Sequence, residues 1–251
     1  MPTGSRVTTF LGCGCAAVLA LFLAGALSVT FLSYRAGQRL ERQADDPAVA
    51  ARDVRRILPY EELPAGYRPL GALSVPLTFD LAMVLGPAGP ATGADGEYDR
   101  GFLYVRVRDW LGRGDRTRRW IESGQGDAAP LEQEQIDFAP REVVGRGALT
   151  SGRAEITWVA RRGDVRVKVG GGDGGEAGGD AAGPGAGAPP RASVLTLMDV
   201  ECPGDARYER VAIWFAPDPS PQTPTGEQDW AGTPADPRAL AALLARFDLC
   251  A

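Results

Sequence analysis

The sequence predicts an α+β fold: one N-terminal transmembrane helix, then an antiparallel-sheet domain with helices packed on one face. Three observations carry this prediction. They are an uncharged apolar run near the start, two Asp-Pro helix openings far apart, and β-rich segments between them. The apolar run occupies residues 10–34, FLGCGCAAVLALFLAGALSVTFLSY. It is longer than the roughly 20 residues that cross a bilayer as a helix. A helix satisfies its own backbone polar groups in hydrocarbon, so the glycines and Thr30 are tolerable there. On this reading residues 1–9 are a short tail, 35–45 a juxtamembrane linker and 46–251 a single domain.

A cleaved signal peptide is the alternative for this run, because Ala24-Gly25-Ala26 resembles the small-residue pattern read by signal peptidase. Val29, Phe31 and Leu32 extend the apolar stretch beyond an ordinary signal core and favour an uncleaved anchor. Cys13 and Cys15 stand at the start of the run, not after it, so they read as small packed residues and not as a lipidation site. Two signals for orientation oppose each other. Arg6 on one side against Arg35, Arg39 and Arg42 on the other favours a cytoplasmic C-terminal part. Cys202 and Cys250, an even pair in the remaining chain, favour an oxidising compartment and an exported domain.

Within the domain, Asp46 caps a helix that opens on Pro47, where the missing N–H costs nothing. Ala50, Val54, Ile57 and Leu58 share one face, and Pro59 ends the helix. The same device returns with Asp236 and Pro237, followed by an apolar stripe of Leu240, Leu243, Leu244 and Phe247. Strands are expected at 73–75, 77–85, 102–107, 154–160, 165–169, 194–202 and 211–215. Period-two alternation in 194–202 places Val194, Thr196, Met198, Val200 and Cys202 on one face. If the last helix docks through Phe247, Cys250 comes within reach of Cys202, a candidate disulfide, with two buried free thiols as the alternative. Residues 170–190 contain no large apolar side chain and read as a flexible Gly-rich insertion. Residues 217–237 form a Pro-rich loop around Trp230, which is either a partner-binding anchor or a side chain folded back on the domain.

Composition excludes several chemistries. There is no histidine, hence no Ser-His-Asp or Cys-His pair and no HExxH zinc site within the chain. A net charge of −5, with basic residues spread along the sequence, argues against nucleic acid as a partner. The densest basic group, Arg116, Arg118 and Arg119, reads as a solvated face of a short helix. Gly170, Gly172 and Gly175 match G-x-G-x-x-G, but no helix follows to receive a pyrophosphate. Asp173, Glu176 and Asp180 lack the spacing of a calcium loop, and Arg113-Gly114-Asp115 reads as a turn. Four cysteines divided between the apolar run and two distant positions make no zinc site. No cofactor is expected. Asp199 with Glu201, and Glu61 with Glu62 beside Tyr60, are the carboxylates nearest to an acid-base pair, and neither has a recognisable partner.

Asp46-Pro47, Val49-Ala50, Ile57-Leu58-Pro59-Tyr60, Leu63-Pro64, Gly66-Tyr67 and Pro69-Leu70-Gly71-Ala72 follow one another closely. This segment resembles a group of uncharacterised bacterial single-pass membrane-anchored proteins with an Asp-Pro helix and a Leu-Pro-x-Gly-Tyr segment. The resemblance implies an anchored architecture and no particular activity, and the long Gly-rich insertion departs from it. The expectation is a non-catalytic domain held at the bacterial inner membrane through residues 10–34, binding a protein or envelope component. A carboxylate-based enzyme or ligand sensor and a structural tether are the alternatives.

Overall fold

Among the described residues seven strands hydrogen-bond in the order β1-β2-β3-β7-β6-β5-β4, every neighbouring pair antiparallel. The computed structural model describes residues 42–43, 46–75, 78–87, 98–108, 136–167 and 191–251. Helix α1 spans Pro47–Ile57, followed by β1 Arg68–Val75, β2 Phe79–Pro87, β3 Tyr98–Arg108, β4 Ile136–Ser151, β5 Ala154–Val167, β6 Arg191–Glu201 and β7 Tyr208–Pro217. A 3-10 turn at Thr225–Glu227 and helix α2, Pro237–Leu244, complete the order of the described elements. The sheet is thus two meanders, β1-β2-β3 and β4-β5-β6-β7, zipped along β3 and β7. The expected apolar span at 10–34, the helix around Arg116, the glycine-rich insertion and the G-x-G-x-x-G match all lie outside the described residues. Among the described residues no helix is long and apolar enough to cross a membrane.

Helices α1 and α2 begin as their sequences dictate. Asp46 accepts hydrogen bonds from Ala48 N at 2.9 Å and Val49 N at 3.4 Å, and Asp236 accepts from Arg238 N at 2.8 Å. Proline at the first helical position supplies a preset φ in each case. Val54, Ile57 and Leu58 from α1, and Leu240, Leu243 and Leu244 from α2, are buried against the same sheet face. That face is built from alternate strand residues, among them Phe102, Tyr104, Ile156, Trp158, Met198 and Trp214. The residues between them form a second apolar cluster on the opposite face, including Leu81, Leu103, Leu195, Leu197, Ile213 and Phe215. Two apolar faces explain why β6 is almost continuously hydrophobic, where a half-solvated strand would alternate.

Two elements differ from expectation. Strand β4 was not expected, because Pro140, Gly145 and Gly147 interrupt it. The structure places it at the sheet edge, with register shifts between Pro140 and Glu142 and between Val143 and Gly145. An edge strand tolerates proline and bulges that a central strand does not. The strands expected at 154–160 and 165–169 are one strand, β5, continuous through Arg161-Arg162-Gly163-Asp164. Gln43 also performs an edge function. Its amide donates to Ala72 O and accepts from Ala72 N, both at 3.0 Å, completing β1 on its outer side.

Candidate functional site

The layer over the first sheet face is held by a buried arginine. Arg162 follows Ile156, Trp158 and Ala160 on that face and is covered by the loop after β7. All five of its N–H groups are used. Nε donates to Asp218 Oδ2, Nη1 to Thr223 O and Glu142 Oε1, and Nη2 to Ser220 O and Gln228 Oε1. Asp218 accepts in addition from Gln228 Nε2 at 2.9 Å and Ser220 N at 3.0 Å. Burial alone would raise the Asp218 carboxyl, but the donors from Arg162, Gln228 and Ser220 outweigh it and hold the group below the ordinary aspartate range. Glu142 bridges the outer side by accepting from Thr225 Oγ1. Trp230 is half-buried against the core, with the Arg162 guanidinium 5.5 Å from its ring centroid.

The chain end is fixed just as firmly. Phe247 stacks on Phe102 at 4.7 Å between centroids, and Tyr60 meets it edge-on at 6.4 Å. The buried Tyr104 hydroxyl donates to Leu249 O at 2.7 Å. Cys202 and Cys250 are disulfide-bonded, with their Cα atoms 5.6 Å apart. Arg153 Nη2 donates to Cys250 O at 3.1 Å and Arg106 Nη1 to Ala251 O at 2.7 Å.

Between these two fixed points lies an open groove of about 310 Å³. Trp214 from β7, Leu243, Ala239 and Ala242 from α2, and Pro64 from the turn before β1 make its apolar wall. Its polar groups are few. Trp214 Nε1 donates to the Tyr67 hydroxyl at 3.0 Å, and the exposed Arg246 stands on the rim. Burial pushes the Tyr67 phenol above its usual value, against the opposing effect of the Trp214 N–H, so its proton is retained at neutral pH. Gly232, with φ +75°, closes the loop side in a conformation that L side chains rarely adopt.

The carboxylate pairs singled out from sequence do not converge on this groove. Asp199 is buried and Glu201 exposed at the end of β6, while Glu61 and Glu62 are exposed after α1. Among the described residues no three His, Cys, Asp or Glu side chains are grouped to hold a metal. The groove itself escaped sequence reading because Tyr67 and Trp214 are 147 positions apart. The one available signal was the place of Tyr67 in the Gly-Tyr segment before β1. No family model, curated protein or solved structure matches this chain.

Proposed function

We propose that this chain is a membrane-anchored, non-catalytic domain that binds a protein or envelope component through the groove beneath α2. The groove carries the reading: it is apolar, open, and furnished with two hydrogen-bonding groups and one cation. Such a composition suits recognition, since a few placed polar groups orient a partner whose apolar part supplies the affinity. Two acids, Asp218 and Asp205, point away from acid-base chemistry. Asp218 is held ionised by Arg162, and Asp205 is held low first by its hydrogen bond from Arg210. The Cys202–Cys250 disulfide supports placement of the domain on the exported side, where such a bond persists.

Two measurements on the full chain in bacterial membranes test this reading. An alkaline phosphatase fusion after Ala251 is expected to be active, and a silent but expressed fusion overturns the exported placement. A photo-crosslinking side chain at the exposed Ala242 is expected to give a discrete adduct, absent when the label is moved to the exposed Glu155. Identical patterns from both positions overturn binding through the groove.

A further inference from the structure

The second sheet face is dry, and none of the described helices or loops covers it. Its apolar cluster is built entirely from strand residues, whereas α1, α2 and Trp230 all pack into the first. Yet Leu195 and Phe215 are each 1% exposed and Leu197 is 3% exposed. The face of an open sheet is shielded to this degree only under another layer.

Strand direction indicates which part of the chain supplies that layer. Between β3 and β4 stand β7, β6 and β5, and the successive antiparallel pairings leave β3 and β4 parallel. Residues 109–135 therefore depart from one end of the sheet after Arg108 and return at the other end before Ile136, displaced by roughly 19 Å at about 4.8 Å per pairing. Such a connection is a crossover, and this one exceeds the roughly dozen residues a crossover needs. Handedness selects its side. Arg108 shares the alternation of Phe102 and Tyr104, so it belongs to the helix-covered face. Its N–H donates to Thr78 O, on the β2 side of β3. With β3 running upward and the first face toward the viewer, the chirality of L-residues points that N–H to the right. Strand β2 is then on the right and β4 on the left. A crossover that passes in front to a strand on the left is left-handed, and one that passes behind is right-handed, the sense adopted in about 98% of cases. Behind lies the second face.

We infer that residues 109–135 cross the second face and bury its apolar cluster with Trp110, Leu111, Trp120 and Ile121. The other internal connections outside the described residues lack the means, since 88–97 and 170–190 contain no large apolar side chain. Charge runs in matching order. By alternation Asp199 and Glu209 stand on this face toward the end where β3 stops, and Arg161 and Arg191 toward the end where β4 starts. The arginines of the segment all lie within 113–119, while 122–135 carries Glu122, Asp127, Glu132 and Glu134 and no base. The crossing and the groove beneath α2 thus occupy opposite faces of the sheet.

Photo-crosslinking within the full chain in lipid nanodiscs tests the crossing. With Trp120→p-benzoylphenylalanine, irradiation is expected to give an intramolecular adduct that peptide mapping places on β6 or β7, at Leu195, Leu197 or Ile213. An adduct on α1, α2 or the loop after β7 puts the crossover on the first face and overturns the inference. Adducts confined to residues 10–34 or to a second copy of the chain overturn it too, as does the absence of any adduct. A second measurement covers the case in which the labelled chain fails to fold. Replacing 109–135 by a Gly-Ser segment of equal length is expected to lower the urea midpoint or abolish folding and to raise binding of an anilinonaphthalene dye to the uncovered face. The same replacement of 170–190 is expected to change neither. An unchanged midpoint and dye signal after the first replacement, or equal losses from both, overturns the inference.

Discussion

Replacing Arg162 by methionine removes five hydrogen bonds at once and leaves Asp218, whose side chain is only 1% exposed, without its countercharge. Breaking a buried pair by removing one partner costs about 3–5 kcal/mol, most of it the penalty of an uncompensated charge. Arg162→Met is therefore expected to lower the urea midpoint severely, and the added substitution Asp218→Leu should recover part of the loss by removing the orphaned carboxylate. A double variant no more stable than the single one would contradict this account. The same acids set the response to pH. The carboxyls of Asp218 and Asp205 titrate below their unfolded value of 3.8 in the native state. Their stabilisation is complete above that value and is lost as pH falls through it toward the lower native values. Chemical denaturation from pH 6 down to pH 2 should show stability declining only in the acid part of that range. At the other end, burial pushes the Tyr104 phenol from 10.0 up to about 12. The unfolded chain then loses its phenolic proton first, so this contribution is present below pH 10 and disappears between 10 and 12.

At the scale of elements, β4 illustrates what a strand at the sheet edge can hide. Trp158 on β5 lies against β4, and a Cβ placed on Gly145 or Gly147 would come within 3.2 Å of its ring. The glycines that make this stretch look like a loop are the condition for the indole to pack. Gly147→Val is expected to destabilise by about 1–3 kcal/mol through overpacking. Gly226→Ala, where an added Cβ meets nothing within 4 Å, should change stability by less than about 0.5 kcal/mol. Comparable midpoints for the two variants would show that the Gly147 contact has no energetic weight. Elements governed by local rules were legible in the sequence. Asp46-Pro47 and Asp236-Pro237 opened helices, and alternation in β6 correctly sent Val194 and Met198 to the helix face and Leu195 and Leu197 to the other. Elements governed by distant partners were not. The charged interval Arg161 to Asp164 looks like a break in β5 until Asp218, 56 positions beyond Arg162, is placed beside it. The groove required a further long-range fact, the return of α2 and its tail over the turn before β1.

For the whole molecule that return is decisive, because the tail after α2 touches both meanders. Phe247 and Leu249 O engage Phe102 and Tyr104 on β3, in the first meander, and Asp248 N donates to Pro59 O at 2.9 Å. Cys250 is bonded to Cys202 at the end of β6, in the second. The disulfide thus acts on the join between the two halves as well as on the tail. Closing a segment with sequence separation 48 restricts the unfolded chain by about 4 kcal/mol in the loop-entropy account. Cys202→Ala combined with Cys250→Ala is expected to lower the unfolding free energy by about 2–5 kcal/mol. Dithiothreitol should reproduce the loss in the unmodified chain and add nothing in the double variant. The effect should also be ordered in space. Hydrogen exchange is expected to rise first in residues 239–250 and at Tyr67, because α2 supplies the groove wall and the released tail no longer presses Phe247 onto β3. Exchange in the β5–β6 pairing, which supplies no residue to the groove lining, should rise only with global unfolding. A stability change under about 1 kcal/mol, or exchange rising equally in β5 and in α2, would mean that the Phe247 stack and the Tyr104 hydrogen bond hold the tail without the covalent link.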